Sequence, residues 1–160
     1  MFENPSYLGP LRILTGSVRT NLDPRLKATD ESIWTALRQV QLDKFVKSLE
    51  GQLDHNLDKS GDNLSTGQKQ LFCLARALLK QTGILLIDEA TANVDPFTDK
   101  LVQKTIRSEF TNQTVITIAH RLETIIDYDR IFVMANGNLI ESDKPLELIL
   151  DKQSNFFTLC

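Results

Sequence analysis

Apolar residues recur along this chain with two different spacings, and each change of spacing marks an element. The opening, Met1 to Thr29, shows neither spacing and is punctuated by Pro5, Pro10 and Pro24, so it is expected to be irregular. Ile33, Trp34, Leu37, Val40 and Gln41-Leu42 then keep a helical period behind a capping Asp30. A second short helix is expected from Asp43, burying Phe45, Val46 and Leu49 and ending at Gly51. Gln52 to Asn63 is polar and reads as loop. From Thr66 to Lys80 the pattern is helical again. Leu71, Leu74, Ala75, Leu78 and Leu79 share one face, Lys69, Gln70 and Arg76 lie elsewhere, and Gly83 stands near the stop. Ile84 to Ile87 is a continuous apolar run, as in a strand buried on both faces of a parallel sheet. Asp99 to Phe110 is helical through Val102 and Ile106. Val115 to Ala119 and Ile131 to Met134 read as further strands with a short helix between them. Asn136-Gly137 signals a hairpin into Leu139 to Glu141, and Pro145 opens a last pair of short helices.

Strands alternating with helices imply an α/β fold with a mostly parallel sheet, whose ligands bind beyond the carboxyl ends of the strands. Composition narrows the choice without changing it. The chain has 160 residues, 41% hydrophobic and 24% charged, which is globular composition and excludes disorder as the main state. No apolar run approaches the ~20 residues of a membrane helix, and Met1 to Pro10 lacks a secretory pattern. A net charge of -3 gives no electrostatic footprint for nucleic acid. Cys73 and Cys160 are too few for a disulfide framework and fit a reducing compartment. With His55 and His120 they show no zinc spacing.

The polar residues at the element ends carry the chemistry. Ile84 to Ile87 runs into Asp88 and Glu89. Nucleotide hydrolysis needs a carboxylate for Mg²⁺ and a second group to orient or deprotonate water, and Asp88 and Glu89 suit these roles. Two acids in a solvated turn would read the same way. Leu64-Ser65-Thr66-Gly67-Gln68 stands directly before a helix. Ser65 is a good cap, Gly67 lets an anion approach the backbone, and the helix start offers free N–H groups. An ordinary serine-capped helix has the same sequence. His120 follows a strand and could hydrogen-bond a phosphate or simply be solvated, and Asp95, before Pro96, reads by itself as a helix-start residue.

Taken together and in order, these segments resemble an ATP-binding cassette (ABC) domain. Leu64 to Gln68 resembles its signature motif, Ile84 to Glu89 its Walker B strand, Ala92-Asn93-Val94-Asp95 its D-loop and His120 its H-loop. The phrases Gly16 to Pro24, Cys73 to Leu79, Asp88 to Pro96 and Ala119 to Leu122 are similar to the multidrug-resistance-associated exporters, and Glu89 matches their second cassette. The resemblance implies a P-loop NTPase-like ABC ATPase fold with a helical signature subdomain. The expected division is a lead-in over residues 1–29, the helical subdomain over 30–82, and part of the RecA-like α/β core over 83–160. It implies ATP and Mg²⁺ as cofactors, a second cassette as head-to-tail partner, and exporter membrane domains on the cytoplasmic face of a membrane. It implies that Ser65, Thr66, Gly67 and Gln68 face ATP held by the partner. Asp88 would hold the metal, Glu89 and His120 would be catalytic, and Asp95 would couple the two sites.

One part of the family pattern is missing from these residues. The seven glycines are followed by Pro10, Ser17, Gln52, Asp62, Gln68, Ile84 and Asn138, so no G-x-x-x-x-G-K-[ST] phosphate loop is present. The expected protein is a cassette without its front portion, marginally stable alone, with the two central strands exposing an edge or face. ATPase-coupled export of organic anions or drugs is the expected parent function, and the isolated chain is expected to be inactive. The alternative is a silent or interfering module that donates its signature helix to another cassette. A DNA-repair or chromosome-structure ATPase fits the acidic balance less well. A hydrolase built on Ser65, Asp88 and His120 lacks the G-x-S-x-G elbow.

Overall fold

The structure, a computed structural model, describes residues 6–8, 13–58, 61–88, 94–119 and 124–159. The chain forms two compact units, Met1–Ile118 and Ala119–Cys160.

The first unit is built on a three-stranded parallel sheet, in the order β1 (Ser6–Leu8), β4 (Ile84–Asp88), β5 (Thr114–Ile118). Between β1 and β4 the chain passes through β2 (Gly16–Ser17), α1 (Val18–Leu22), α2 (Asp30–Gln39), α3 (Asp43–Ser48), β3 (Asn56–Leu57) and α4 (Thr66–Lys80). The crossover from β4 to β5 is α5 (Pro96–Glu109). Parallel neighbours need such helical crossovers, because a tight turn can only reverse the chain. The core is one continuous apolar body. Phe72 and Leu74 of α4, Leu85 of β4, Ile33 and Leu37 of α2, and Val18 and Leu22 of α1 are all fully buried in it.

The lead-in departs from the irregular reading. Ser6–Leu8 pairs with β4, register Tyr7 to Leu86, and Thr82 anchors it, its hydroxyl accepting from the Ser6 amide at 3.1 Å. Three residues are too few to show a period, so the pattern of apolar positions could not reveal this strand. Ser17 caps α1, accepting from the Thr20 amide. Asn21, fully buried in α1, then folds the preceding loop around itself. Its Oδ1 accepts from Leu14 N–H at 2.8 Å, and its Nδ2 donates to the carbonyls of Leu14 and Ser17 at 2.9 and 3.0 Å. Arg76 Nε of α4 donates to the Asn21 carbonyl at 2.7 Å, tying this loop to the long helix.

Thr66–Lys80 matches the expected helix residue for residue, whereas α2 ends at Gln39 and is capped by Thr29, whose hydroxyl accepts from the Ser32 amide, and not by Asp30. The stop of α4 is Gln81, which takes the left-handed conformation (φ 49°) two residues before Gly83. α5 begins at Pro96, three residues before the expected Asp99, because Asp95 caps it and proline suits a first helical turn. β4 is buried on one face only. Leu85 and Ile87 are enclosed, whereas Ile84 is 42% exposed, and Ile116 and Ile118 of β5 lie open on that same face.

The second unit is an antiparallel hairpin, β6 (Ile131–Ala135) and β7 (Asn138–Asp143), followed by α6 (Pro145–Leu150) and α7 (Asn155–Leu159). Asn136 and Gly137 turn the hairpin with positive φ (49° and 76°), as an Asn-Gly signal requires. Ile131 and Val133 pack with Leu148 and Phe156.

Candidate functional site

The candidate residues that the structure describes sit at the starts of α4 and α5 and at the end of β4. Ser65 and Gln68 form a reciprocal cap on α4. The Ser65 Oγ accepts from Gln68 N–H at 3.1 Å, and Gln68 Oε1 accepts from Ser65 N–H at 2.9 Å. This satisfies two amides and leaves those of Thr66 and Gly67, in the first turn, without intrahelical acceptors. Because the Ser65 oxygen is the acceptor in that cap, its own proton remains to be donated elsewhere. The first turn carries no acidic residue, and Ser65 and Thr66 are exposed. A helix start with unused amides and no acidic residue in its own first turn fits an anion.

Gly67 has a second reason to be glycine. It is buried, and a Cβ there would lie 2.8 Å from Thr98 Oγ1 and 3.0 Å from Thr98 Cγ2. Thr98 in turn is held by Asp95. Its hydroxyl donates to Asp95 Oδ2 at 2.7 Å, while Asp95 Oδ1 accepts the amides of Phe97 and Thr98 at 3.1 and 3.0 Å. These bonds, the Thr98 hydroxyl first, hold the Asp95 carboxyl below the usual aspartate range. The structure therefore brings Gly67 and Asp95 to one place, on either side of Thr98.

Asp88 ends β4 on the open face of the sheet. Tyr7, also on that face, donates its hydroxyl to Asp88 Oδ2 at 3.1 Å. The hydrogen bond to that carboxylate pushes the Tyr7 phenol above its ordinary value of 10.0. A hard cation that keeps several waters takes one or two protein carboxylates together with substrate phosphates. Asp88 fits that part. Among the described residues no three His, Cys, Asp or Glu side chains gather as a metal site, so Asp88 would share the cation with ligands from elsewhere. Glu89 and His120 lie outside the described residues, as do Ala92 and Asn93.

Tyr7 and Thr98 escaped the sequence reading. Tyr7 lies in a strand too short to be recognised. Thr98 was in principle legible, because Asp95-Pro96-Phe97-Thr98 has the spacing of a helix cap whose third residue reaches back.

A helix start suited to an anion and an acidic strand end, carried on a parallel α/β sheet, are features found in nucleotide-binding domains. The family model for ABC transporters matches residues 9–92. The chain belongs to the ABC transporter family. It is 53% identical over 147 residues to human ATP-binding cassette sub-family C member 4, covering 92% of this chain and 11% of that protein. It is 51% identical over 150 residues to the metal resistance protein YCF1 of Saccharomyces cerevisiae, covering 93% of this chain and 10% of that protein. The chain thus spans about a tenth of the length of these curated relatives. Its fold matches a bacterial Atm1-family ABC exporter solved with ATP bound, with a TM-score of 0.85 and 30% identity, over 96% of this chain and 27% of that one. No helix among the described residues is long and apolar enough to cross a membrane.

Proposed function

We propose that the chain works as part of the second nucleotide-binding cassette of a multidrug-resistance-associated exporter. In this reading it sits on the cytoplasmic face of a membrane, and ATP hydrolysis is coupled to export of organic anions or drugs. The observation that carries the reading is the start of α4, where Ser65 and the Thr66 and Gly67 amides present donors and no acid.

ATP with Mg²⁺ supplies the phosphoryl group whose hydrolysis powers transport. Ser65, Thr66 and Gly67 donate hydrogen bonds to the terminal phosphate of ATP held by a partner cassette, and Gln68 keeps the cap that aims them. Asp88 holds the cation for this cassette's own nucleotide. Glu89 takes the proton of the attacking water, and His120 hydrogen-bonds the phosphate and keeps Glu89 oriented. Asp95 couples the two sites across the interface. The helices within residues 30–82 serve as the subdomain that meets the membrane domains, and residues 83–160 as part of the ATPase core. The 160 residues contain no phosphate loop, so in this reading residues outside them cradle the phosphates.

Co-purification with a cassette carrying an intact phosphate loop tests this. The expected result is association in Mg²⁺ and ATP that Ser65→Arg abolishes. Absence of association in every nucleotide state would overturn it.

A further inference from the structure

Thr98 makes two contacts that the reading of the site above leaves unused. Its hydroxyl donates to Asp95 Oδ2 at 2.7 Å, which fixes its side chain at the first turn of α5. That same side chain closes over Gly67, with Oγ1, Cγ2 and Cβ 2.8, 3.0 and 3.2 Å from the place a Cβ would occupy. The two segments are 28 residues apart in sequence, yet one threonine touches both. Any side chain at position 67 would have to push Thr98 away, and Thr98 cannot move without releasing Asp95.

We propose that Thr98 is a positioning residue that locks the Ser65–Gln68 turn and Asp95 into one rigid body. The proposal rests on the reading that both segments face ATP at a cassette interface, and it adds a mechanical link between them within one chain. A displacement of the α4 start is passed through Thr98 to the carboxylate of Asp95, and the reverse. On this view glycine at 67 is required by Thr98 as well as by a ligand. The Thr98 hydroxyl both holds Asp95 and, with the methyl behind it, closes over Gly67. The lowered Asp95 carboxyl is in keeping with this arrangement.

Amide exchange at Phe97 and Thr98 in the 160-residue chain, measured by NMR, reads the link directly, because both amides donate to Asp95. Gly67→Ala is expected to speed exchange at both amides about tenfold and to raise the titration midpoint of the Asp95 carboxyl carbon. Thr98→Ala should do the same, and Gly67→Ala combined with Thr98→Ala should do no more than Thr98→Ala alone. Thr98→Ser keeps the hydroxyl and should leave both readouts near those of the parent chain. Should Gly67→Ala fail to fold, recovery of folding in the Gly67→Ala/Thr98→Ala pair is the same result. The proposal is overturned if Gly67→Ala leaves exchange within twofold of the parent, if the two substitutions add independently, or if the pair fails to fold as well. The ATP reading is judged separately by cassette association with Ser65→Arg. Absence of association by the parent chain in every nucleotide state, with the linkage intact, refutes the function and spares the link.

Discussion

Asn21 and Tyr7 show how single side chains set this molecule's geometry. Asn21 is an amide enclosed on all sides, and it satisfies three backbone groups of the loop before α1. Replacing it with alanine removes the partner of the Leu14 amide and carbonyl, at roughly 1–3 kcal/mol for each one left unsatisfied, while the Ser17 carbonyl keeps the Thr20 hydroxyl at 3.0 Å. Asn21→Ala is therefore expected to lower stability by about 2–4 kcal/mol, read as a shift in the urea midpoint. Asn21→Asp should not rescue it, since the charged form loses the two donated bonds. Tyr7 makes a different test. Its phenolate would form beside the Asp88 carboxylate, so Tyr7 should titrate above 10.0, and Asp88→Asn should bring it down. Ultraviolet titration of the parent, Asp88→Asn and Tyr7→Phe chains distinguishes it from Tyr128. A Tyr7 transition unmoved by Asp88→Asn would show that the two side chains do not meet.

At the level of elements, capping decides where the helices begin. The reciprocal Ser65–Gln68 cap is expected to contribute about 1 kcal/mol, so Ser65→Ala should lower the thermal midpoint by a few degrees while α4 stays helical by circular dichroism. In the second unit Glu141 takes on the task of a cap for α7. Its carboxylate accepts from the amide and side chain of Asn155, the Ser154 hydroxyl and the Phe156 amide. Those bonds, the Asn155 amide first, bring its pKa from 4.5 down to about 2. A carboxyl with a depressed folded-state pKa stabilises fully above its unfolded value, and that stability fades as pH falls towards the folded one. The α7 contacts should therefore weaken between about pH 4.5 and about pH 2, and Glu141→Gln should remove that dependence. Following the Phe156 amide by NMR across this range checks it. The long helices were legible in the sequence because each repeats its apolar face over three or more turns. The elements that were missed, β1, β2, β3 and α1, have two to five residues each and hold their places by pairing and by Asn21, which no local pattern records. The candidate site was legible in its motifs, Ser65 to Gln68 and Asp88, but its internal joints, Tyr7 and Thr98, come from tertiary placement.

Across the whole molecule, the sheet of the first unit is covered on one face and open on the other. Tyr7, Ile84, Ile116 and Ile118 lie on that open face with Asp88, and the two isoleucines of β5 are more than half exposed. An apolar sheet face of this kind invites association. The isolated chain should self-associate at micromolar concentration, and Ile116→Thr with Ile118→Thr should sharpen its monomer peak on size exclusion. A sharp monomer peak for the parent chain, with thermal unfolding above ordinary mesophilic midpoints, would contradict this. Asp88 on the same face offers a carboxylate for a cation, and the start of α4 offers donors for a phosphate. Neither supplies the loop of backbone amides and lysine that cradles a triphosphate. In the proposed function these residues complete a nucleotide site whose phosphate cradle lies outside the 160 residues. Equilibrium titration of fluorescent ATP in Mg²⁺ tests it most directly. The purified chain alone should show no saturable micromolar binding, and binding should appear when a cassette with an intact phosphate loop is added. Micromolar saturation by the chain alone, abolished by Asp88→Asn, would contradict the account.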